Sequence, residues 1–523
     1  MSLQPYHYRT EATGSTRTYS RPLGPNELSY FLPSRANGLN DIYTRVIFRA
    51  PPTLISPFRL RVVWAIIRIR NSLLASRIEM PPGRYSESRF VYNPPSSPQE
   101  AFEEAGFSLS IQHGKSGVEL DNHFIFGQRE LSHKCLSRMY VCQNGENEFH
   151  MAFSSLHSIT DGTSANIYTI LQLLGGSETS GGRVRSDEEL FRILEKEWSL
   201  RWRNSWDVDS FYAITPSAES RLPFPNSRFQ IAAWKVDSMN VQRRAIGGHA
   251  FPRLPSSSTK QAHLEMIFSS EQTFALASKC ASEKVNIPNA IFALCNLAWL
   301  RTAESRGAEF SATYAPPSLP TLFYTAVSLR RHLEPVPDLT SPLALALGYA
   351  TVVLPGFLPR GDQKKSFWLR ARNAQKQMRT HIKSPMFLPR AQILAVQRGK
   401  RAKMFAKMDD EGTPIPPTNT TTSQTPSVAL MGISHLGDLC SSYHPSSYPA
   451  IQFVDSVGHS RKAPGGILLF TRIAAGNRFA LMLEWDAAAF PAGLVDEFWA
   501  NFLRGVDEFV LEEGDSRRDS SKL

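Results

Sequence analysis

Two periodicities divide this chain. Polar and apolar residues alternate over Asp41–Phe48, and compact apolar runs occupy Arg89–Asn93, Met139–Cys142 and Phe149–Phe153. These predict strands, the last two forming a hairpin around Asn144-Gly145. Apolar residues at helical spacing predict helices over Phe58–Leu74, Thr163–Gly176 and 188–204. The second half repeats the mixture. A strand at His263–Phe268 precedes helices at Glu271–Glu283, Pro288–Glu304 and Gln363–Lys383. The last of these is a basic amphipathic helix, read as a solvated face over a core stripe. Strands at Ser427–Ile433, Ile451–Val454, Gly466–Thr471 and Phe479–Glu484 then lead to a closing helix from Pro491 to Leu511. The pattern predicts an α/β protein whose halves are structural duplicates without a repeat of residue identity.

The same patterning suggests divisions. Residues 1–20 are expected to be disordered, 21–215 to form the first half and 216–260, rich in Pro, Ser and Arg, to join it to a second half at 261–511. Residues 512–523 form a charged tail, and Thr413–Pro426 reads as a low-complexity loop.

Composition narrows the class. At 523 residues the chain is too long for one ordinary core, and its 42% hydrophobic content suits a globular protein. The longest apolar stretch, Ala290–Leu300, is too short to cross a bilayer, and the N-terminus carries no signal-peptide core. Five scattered cysteines without a C-x-x-C argue against a disulfide framework and a zinc ribbon. The net charge of +11 favours an anionic partner. Its basic residues are dispersed, with no nucleic-acid module among them, and a phosphate-bearing small substrate fits the charge as well.

The candidate chemistry is concentrated in one turn, His157-Ser158-Ile159-Thr160-Asp161-Gly162, between a predicted strand and a predicted helix. Chance would produce H-x-x-x-D-G about 0.03 times in a chain of this composition. An imidazole held at a strand end suits proton transfer near neutral pH. A metal site is disfavoured because His157 and Asp161 lack a third ligand at recognisable spacing.

The HxxxDG turn, the Arg330 segment (Tyr324–Leu333) and the late segment Ile433-Ser434-His435-Leu436-Gly437-Asp438-Leu439 occur in an order that resembles the condensation-domain-like acyltransferases. That superfamily includes chloramphenicol acetyltransferase, plant BAHD enzymes, fungal trichothecene O-acetyltransferases and peptide-synthetase condensation domains. The fungal O-acetyltransferases are most similar in length and layout, and the terminal Ser521-Lys522-Leu523 also resembles the ending of the smut-fungus acyltransferases that decorate mannosylerythritol glycolipids. The resemblance covers residues 21–511 and implies two chloramphenicol-acetyltransferase-like domains with an active-site tunnel between them. It implies transfer of an acyl group from acyl-CoA, as co-substrate with no bound cofactor, to a hydroxylated small molecule or glycolipid (EC 2.3.1). In this reading His157 is the general base and Ser434 the oxyanion donor. Asp161 pairs structurally with Arg330, and Gly162 keeps the turn tight and the channel open. A monomer is expected.

Three departures sharpen the resemblance. Leu156 stands where peptide-synthetase domains have a second histidine, ISHLGDL replaces the DFGWG of plant enzymes, and Leu347-Gly348-Tyr349 replaces a common Gly-Asn. An acetyltransferase of a trichothecene-like terpenoid or polyketide is the alternative acceptor class. A serine hydrolase is weaker, because Gly432-Ile433-Ser434-His435-Leu436-Gly437 misses G-x-S-x-G by one residue. An inactive scaffold of the same fold is disfavoured by the complete HxxxDG. The ending Ser521-Lys522-Leu523 is the peroxisomal import address, which predicts a peroxisomal protein bound by the import receptor.

Overall fold

The computed structural model describes residues 18–161, 166–176, 182–203, 213–223, 225, 227–255, 259–334, 343–412, 427–438 and 448–511. In chain order its strands are β1 (Tyr19–Pro22), β2 (Ile42–Arg49), β3 (Arg77–Glu79), β4 (Arg89–Tyr92), β5 (Leu109–Gln112), β6 (Ser137–Gln143) and β7 (Glu148–Ser155). Those of the second half are β8 (Gln261–Ile267), β9 (Thr321–Ser328), β10 (Leu347–Leu354), β11 (Met431–Asp438), β12 (Gln452–Ser460), β13 (Ile467–Ala474) and β14 (Arg478–Asp486). They build one sheet of order β12-β2-β7-β6-β5, a second of order β10-β9-β11-β13-β14-β8, and a small sheet β1-β4-β3.

Helices cover these sheets and close two main apolar cores. In the first, the helix Pro57–Arg70 buries Trp64 and its neighbours among residues from β2, β6 and β7. In the second, the helix Ile287–Ser305 is buried along most of its length, including Trp299. The β7 strand lies between β2 and β6, and every residue after Glu148 is buried. A strand covered on both faces carries apolar residues continuously, which is why Phe149–Phe153 reads as a run rather than an alternation.

The halves exchange material. Strand β12 comes late in the chain yet pairs antiparallel with β2, from Ile42 opposite Ser460 to Arg49 opposite Gln452. The helix Phe387–Glu411 packs on the helix Pro25–Asn37 of the first half. Gly399 permits that approach, since a Cβ there would lie 2.8 Å from the Pro25 carbonyl oxygen.

The helices Pro25–Asn37, Pro98–Phe107 and Gly117–Phe126 and the strands β9 and β10 have no predicted counterpart, and other features also depart from the pattern. Tyr19 and Ser20 belong to β1 rather than to a disordered terminus, with Tyr19 opposite Tyr92. The joining region contains a helix, Arg228–Arg244, capped by Ser227, of which only Trp234 and Ser238 are buried. So narrow a buried face leaves no apolar stripe to read. The helix Phe387–Glu411 also has no predicted counterpart, because its buried stripe is largely Ala391, Ala395, Gly399, Ala402 and Ala406, small residues that carry little hydropathy signal. The Thr413–Pro426 loop and the 512–523 tail lie outside the described residues.

Candidate active site

His157 follows β7 directly. The turn is pinned from both sides, since Leu156 and Ile159 are buried in the first core while the Leu156 amide donates to the Leu136 carbonyl at 3.0 Å. The imidazole between them points out of the core and lies against the Tyr30 ring, 4.1 Å between centroids. Its Nδ1 is 2.8 Å from the Thr160 carbonyl oxygen. A carbonyl only accepts, so Nδ1 carries the proton and Nε2 holds the lone pair. Burial keeps the pKa below the ordinary 6.5, opposed by the Thr160 hydrogen bond and the Asp161 charge. The neutral ring with Nε2 free is the form a general base requires.

Asp161 faces the other way. Its Oδ1 accepts from Arg330 Nη2 at 2.8 Å and its Oδ2 from the Ala346 amide at 3.1 Å. Arg330 also donates to the Ala344 carbonyl at 2.8 Å. The structure therefore brings Asp161 and Arg330 together, and the pair fastens the turn after β7 to the ends of β9 and β10 in the other half. Gly162 lies outside the described residues, as do Ser521, Lys522 and Leu523.

Ser434 is half-buried on β11, and its hydroxyl makes no hydrogen bond among the described residues. Gly432 pairs with Tyr324 of β9, so Ser434, two residues on, shares the sheet face that carries Tyr324. His435 takes the opposite face, edge-on to Phe292, with Nδ1 2.8 Å from the Thr471 hydroxyl. Burial lowers its pKa to about 4. Adjacent in sequence but opposite in direction, Ser434 and His435 do not form a nucleophile–base pair.

Around His157 the fold assembles residues from distant parts of the chain. The Tyr30 hydroxyl is 2.5 Å from that of Tyr349. The Arg398 guanidinium lies over both rings, 5.4 Å from Tyr30 and 4.2 Å from Tyr349. Tyr349 lies in the Leu347-Gly348-Tyr349 segment that the sequence singles out; Tyr30 and Arg398 stand on helices without any motif. No cluster able to hold a metal occurs among the described residues, and none of their helices is long and apolar enough to cross a membrane.

The architecture can now be compared with known proteins. No family model matches the sequence, and no curated relative is found by sequence. Solved structures do match. Trichothecene 15-O-acetyltransferase TRI3 from Fusarium sporotrichioides superposes with a TM-score of 0.71 at 14% identity, over 97% of this chain and 99% of that one. The fold is the condensation-domain type. The condensation domain of the monacolin K polyketide synthase MokA matches with a TM-score of 0.57 at 10% identity, over 94% of this chain and 97% of its own. SgcC5 from Streptomyces globisporus follows with 0.52 at 12% identity, over 94% and 98%. These likenesses establish the mixed α/β architecture of two sheet-and-helix halves.

Proposed function

We propose that this chain is an acyl-CoA-dependent O-acyltransferase that acylates a hydroxyl of a small secondary metabolite or glycolipid. The observation that carries the reading is the state of His157: Nδ1 committed to the Thr160 carbonyl, Nε2 free, and the ring seated between the two halves. An alcohol keeps its proton at neutral pH, so its oxygen attacks a thioester only as a base removes that proton. Nε2 takes the proton while the oxygen bonds to the thioester carbon. The carbonyl oxygen becomes an oxyanion, and the Ser434 hydroxyl is the donor assigned to it. The C–S bond then breaks, and the imidazolium returns the proton to the departing thiolate.

Asp161 does not touch the reactants in this scheme. Its hydrogen bonds from Arg330 and the Ala346 amide hold the turn so that His157 keeps its rotamer. The fungal trichothecene enzyme, named for O-acetylation, supports an oxygen acceptor by its fold. Import into peroxisomes through Ser521-Lys522-Leu523 would place the enzyme beside an acyl-CoA pool. Deleting Leu523 from a fluorescently tagged chain is expected to leave it outside peroxisomes.

Thiol release from a series of acyl-CoAs, acetyl to palmitoyl, tests the chemistry. The wild type should consume a preferred chain length, and His157→Ala, folded by circular dichroism, should lose that turnover by orders of magnitude. Equal release from both proteins removes His157 as the base.

A further inference from the structure

We propose that the acceptor alcohol carries an anionic group, a carboxylate or phosphomonoester, held by Arg398 and Arg401 in the cavity beside Tyr349. This rests on the acyltransferase reading and narrows its acceptor.

The cavity has a volume of about 220 Å³ and opens between the helices Arg228–Arg244 and Phe387–Glu411 and the strands β9 and β10. Tyr324, Tyr349 and Leu394 give it an apolar wall, and Arg390, Arg398 and Arg401 give it charge. Arg390 is already matched, donating to both oxygens of Asp237 at 2.6 and 2.9 Å. His381 adds no charge near neutral pH, since burial and Arg390 hold its pKa at about 4. No carboxylate lines the cavity among the described residues.

Arg398 is the decisive group. Its Nε is buried and has no hydrogen-bond partner, and the side chain makes no ion pair among the described residues. The rings of Tyr30 and Tyr349 cover the guanidinium but accept none of its in-plane donors. A cation partly withdrawn from water without a counter-charge is costly, and an anion entering the cavity would offset that cost. Arg401 stands exposed at the rim, one helical turn on, equally without an ion pair among the described residues. Partial desolvation of its stem at the rim and the neighbouring Arg398 hold its pKa below the usual value. Two adjacent guanidiniums present the planar, forked donors that match a carboxylate or phosphate.

The anion has two conceivable sources, the acceptor and the phosphates of coenzyme A. Distance favours the acceptor. From imidazole to Tyr30 is 4.1 Å and from Tyr30 to the guanidinium carbon 5.4 Å, so the sum of these short steps is the upper limit on their separation. The pantetheine arm, by ordinary bond lengths, places the nearest phosphate about 15 Å from the thioester sulfur. An acceptor anion reaches Arg398 from the reacting centre without an extended arm, and the coenzyme A titration below separates the two sources. A one-ring hydroxy acid fits both the distance and the cavity.

The probe pair is 3-(hydroxymethyl)benzoate and its neutral isostere 3-(hydroxymethyl)benzamide, titrated calorimetrically into the full chain alongside coenzyme A. The wild type should bind the benzoate at least tenfold tighter than the amide. Arg398→Gln and, independently, Arg401→Gln should abolish that preference, while coenzyme A affinity stays within twofold. Each variant is checked by circular dichroism, and Arg398→Lys should keep part of the preference. Equal binding of the two probes, or binding of neither at millimolar concentration, overturns the proposal. So does weakened coenzyme A binding in the variants, which reassigns the arginines to the co-substrate. Thiol release that depends on His157 but persists in those cases leaves the acyltransferase reading standing and sinks only this inference.

Discussion

Two arginines flank the candidate base, and their surroundings are opposite. Arg330 is matched by the buried carboxylate of Asp161 and by the Ala344 carbonyl. Arg398 has two aromatic rings over it, a buried Nε without a partner, and an open cavity beside it. A charge satisfied within the chain holds elements in place, and the Asp161–Arg330 pair ties β7 of one half to β9 and β10 of the other. A charge left unsatisfied at a cavity has its counterpart outside the chain. The difference separates architecture from recognition within one small region, although both side chains are the same residue.

Each prediction strikes one side of that contrast or the ring between. His157→Ala should lower kcat by about 10²–10⁴, the usual yield of a positioned base, with little change in melting temperature. An equal loss of stability would show that the ring props the seam rather than performing the chemistry. Asp161→Ala removes the partner of Arg330 and should cost about 3–5 kcal/mol of folding stability, read by denaturant titration. A loss near zero would erase the distinction between the two arginines. Ser434→Ala should lower kcat by about 10²–10³ with KM little changed, the signature of a donor that acts on the oxyanion. A loss confined to KM would make Ser434 a substrate contact instead.

The pH profile tests the imidazole itself. Burial lowers its pKa, so the free base persists to more acidic pH than in a solvated histidine. Activity should hold through neutrality and fall only as pH drops through a value below 6.5. An acid limb of kcat/KM above that value would contradict the desolvated site. The smallest effect is expected at Arg398→Gln. Loss of the ring contacts costs about 1–2 kcal/mol, and relief of an unpaired, partly buried charge offsets it, so the melting temperature should barely move. A large destabilisation would place Arg398 with Arg330 as architecture.

Much of the local structure is legible along the chain. The basic helix Gln363–Lys383 has its predicted bounds, and the hairpin of β6 and β7 turns where Asn144-Gly145 predicts. The HxxxDG turn stands out because its chemistry lies within six consecutive residues at the end of a buried strand. The helices Arg228–Arg244 and Phe387–Glu411 escape for a physical reason: one buries little, and the other buries alanine and glycine. Hydropathy patterning registers a helix by the size and oiliness of its buried stripe, and these have too little of either.

The sequence by itself determined many of the strands and helices and the turn that carries His157. Those properties arise from periodicity and from residues adjacent in the chain. Only the tertiary structure decided that β12 completes the first sheet, that Ser434 and His435 face opposite ways, and that Tyr30, Tyr349 and Arg398 gather around the imidazole. Their side chains are brought together by helix packing at Gly399 and by the seam between the halves. Such contacts depend on how separately formed surfaces fit, and one-dimensional spacing carries no record of that fit.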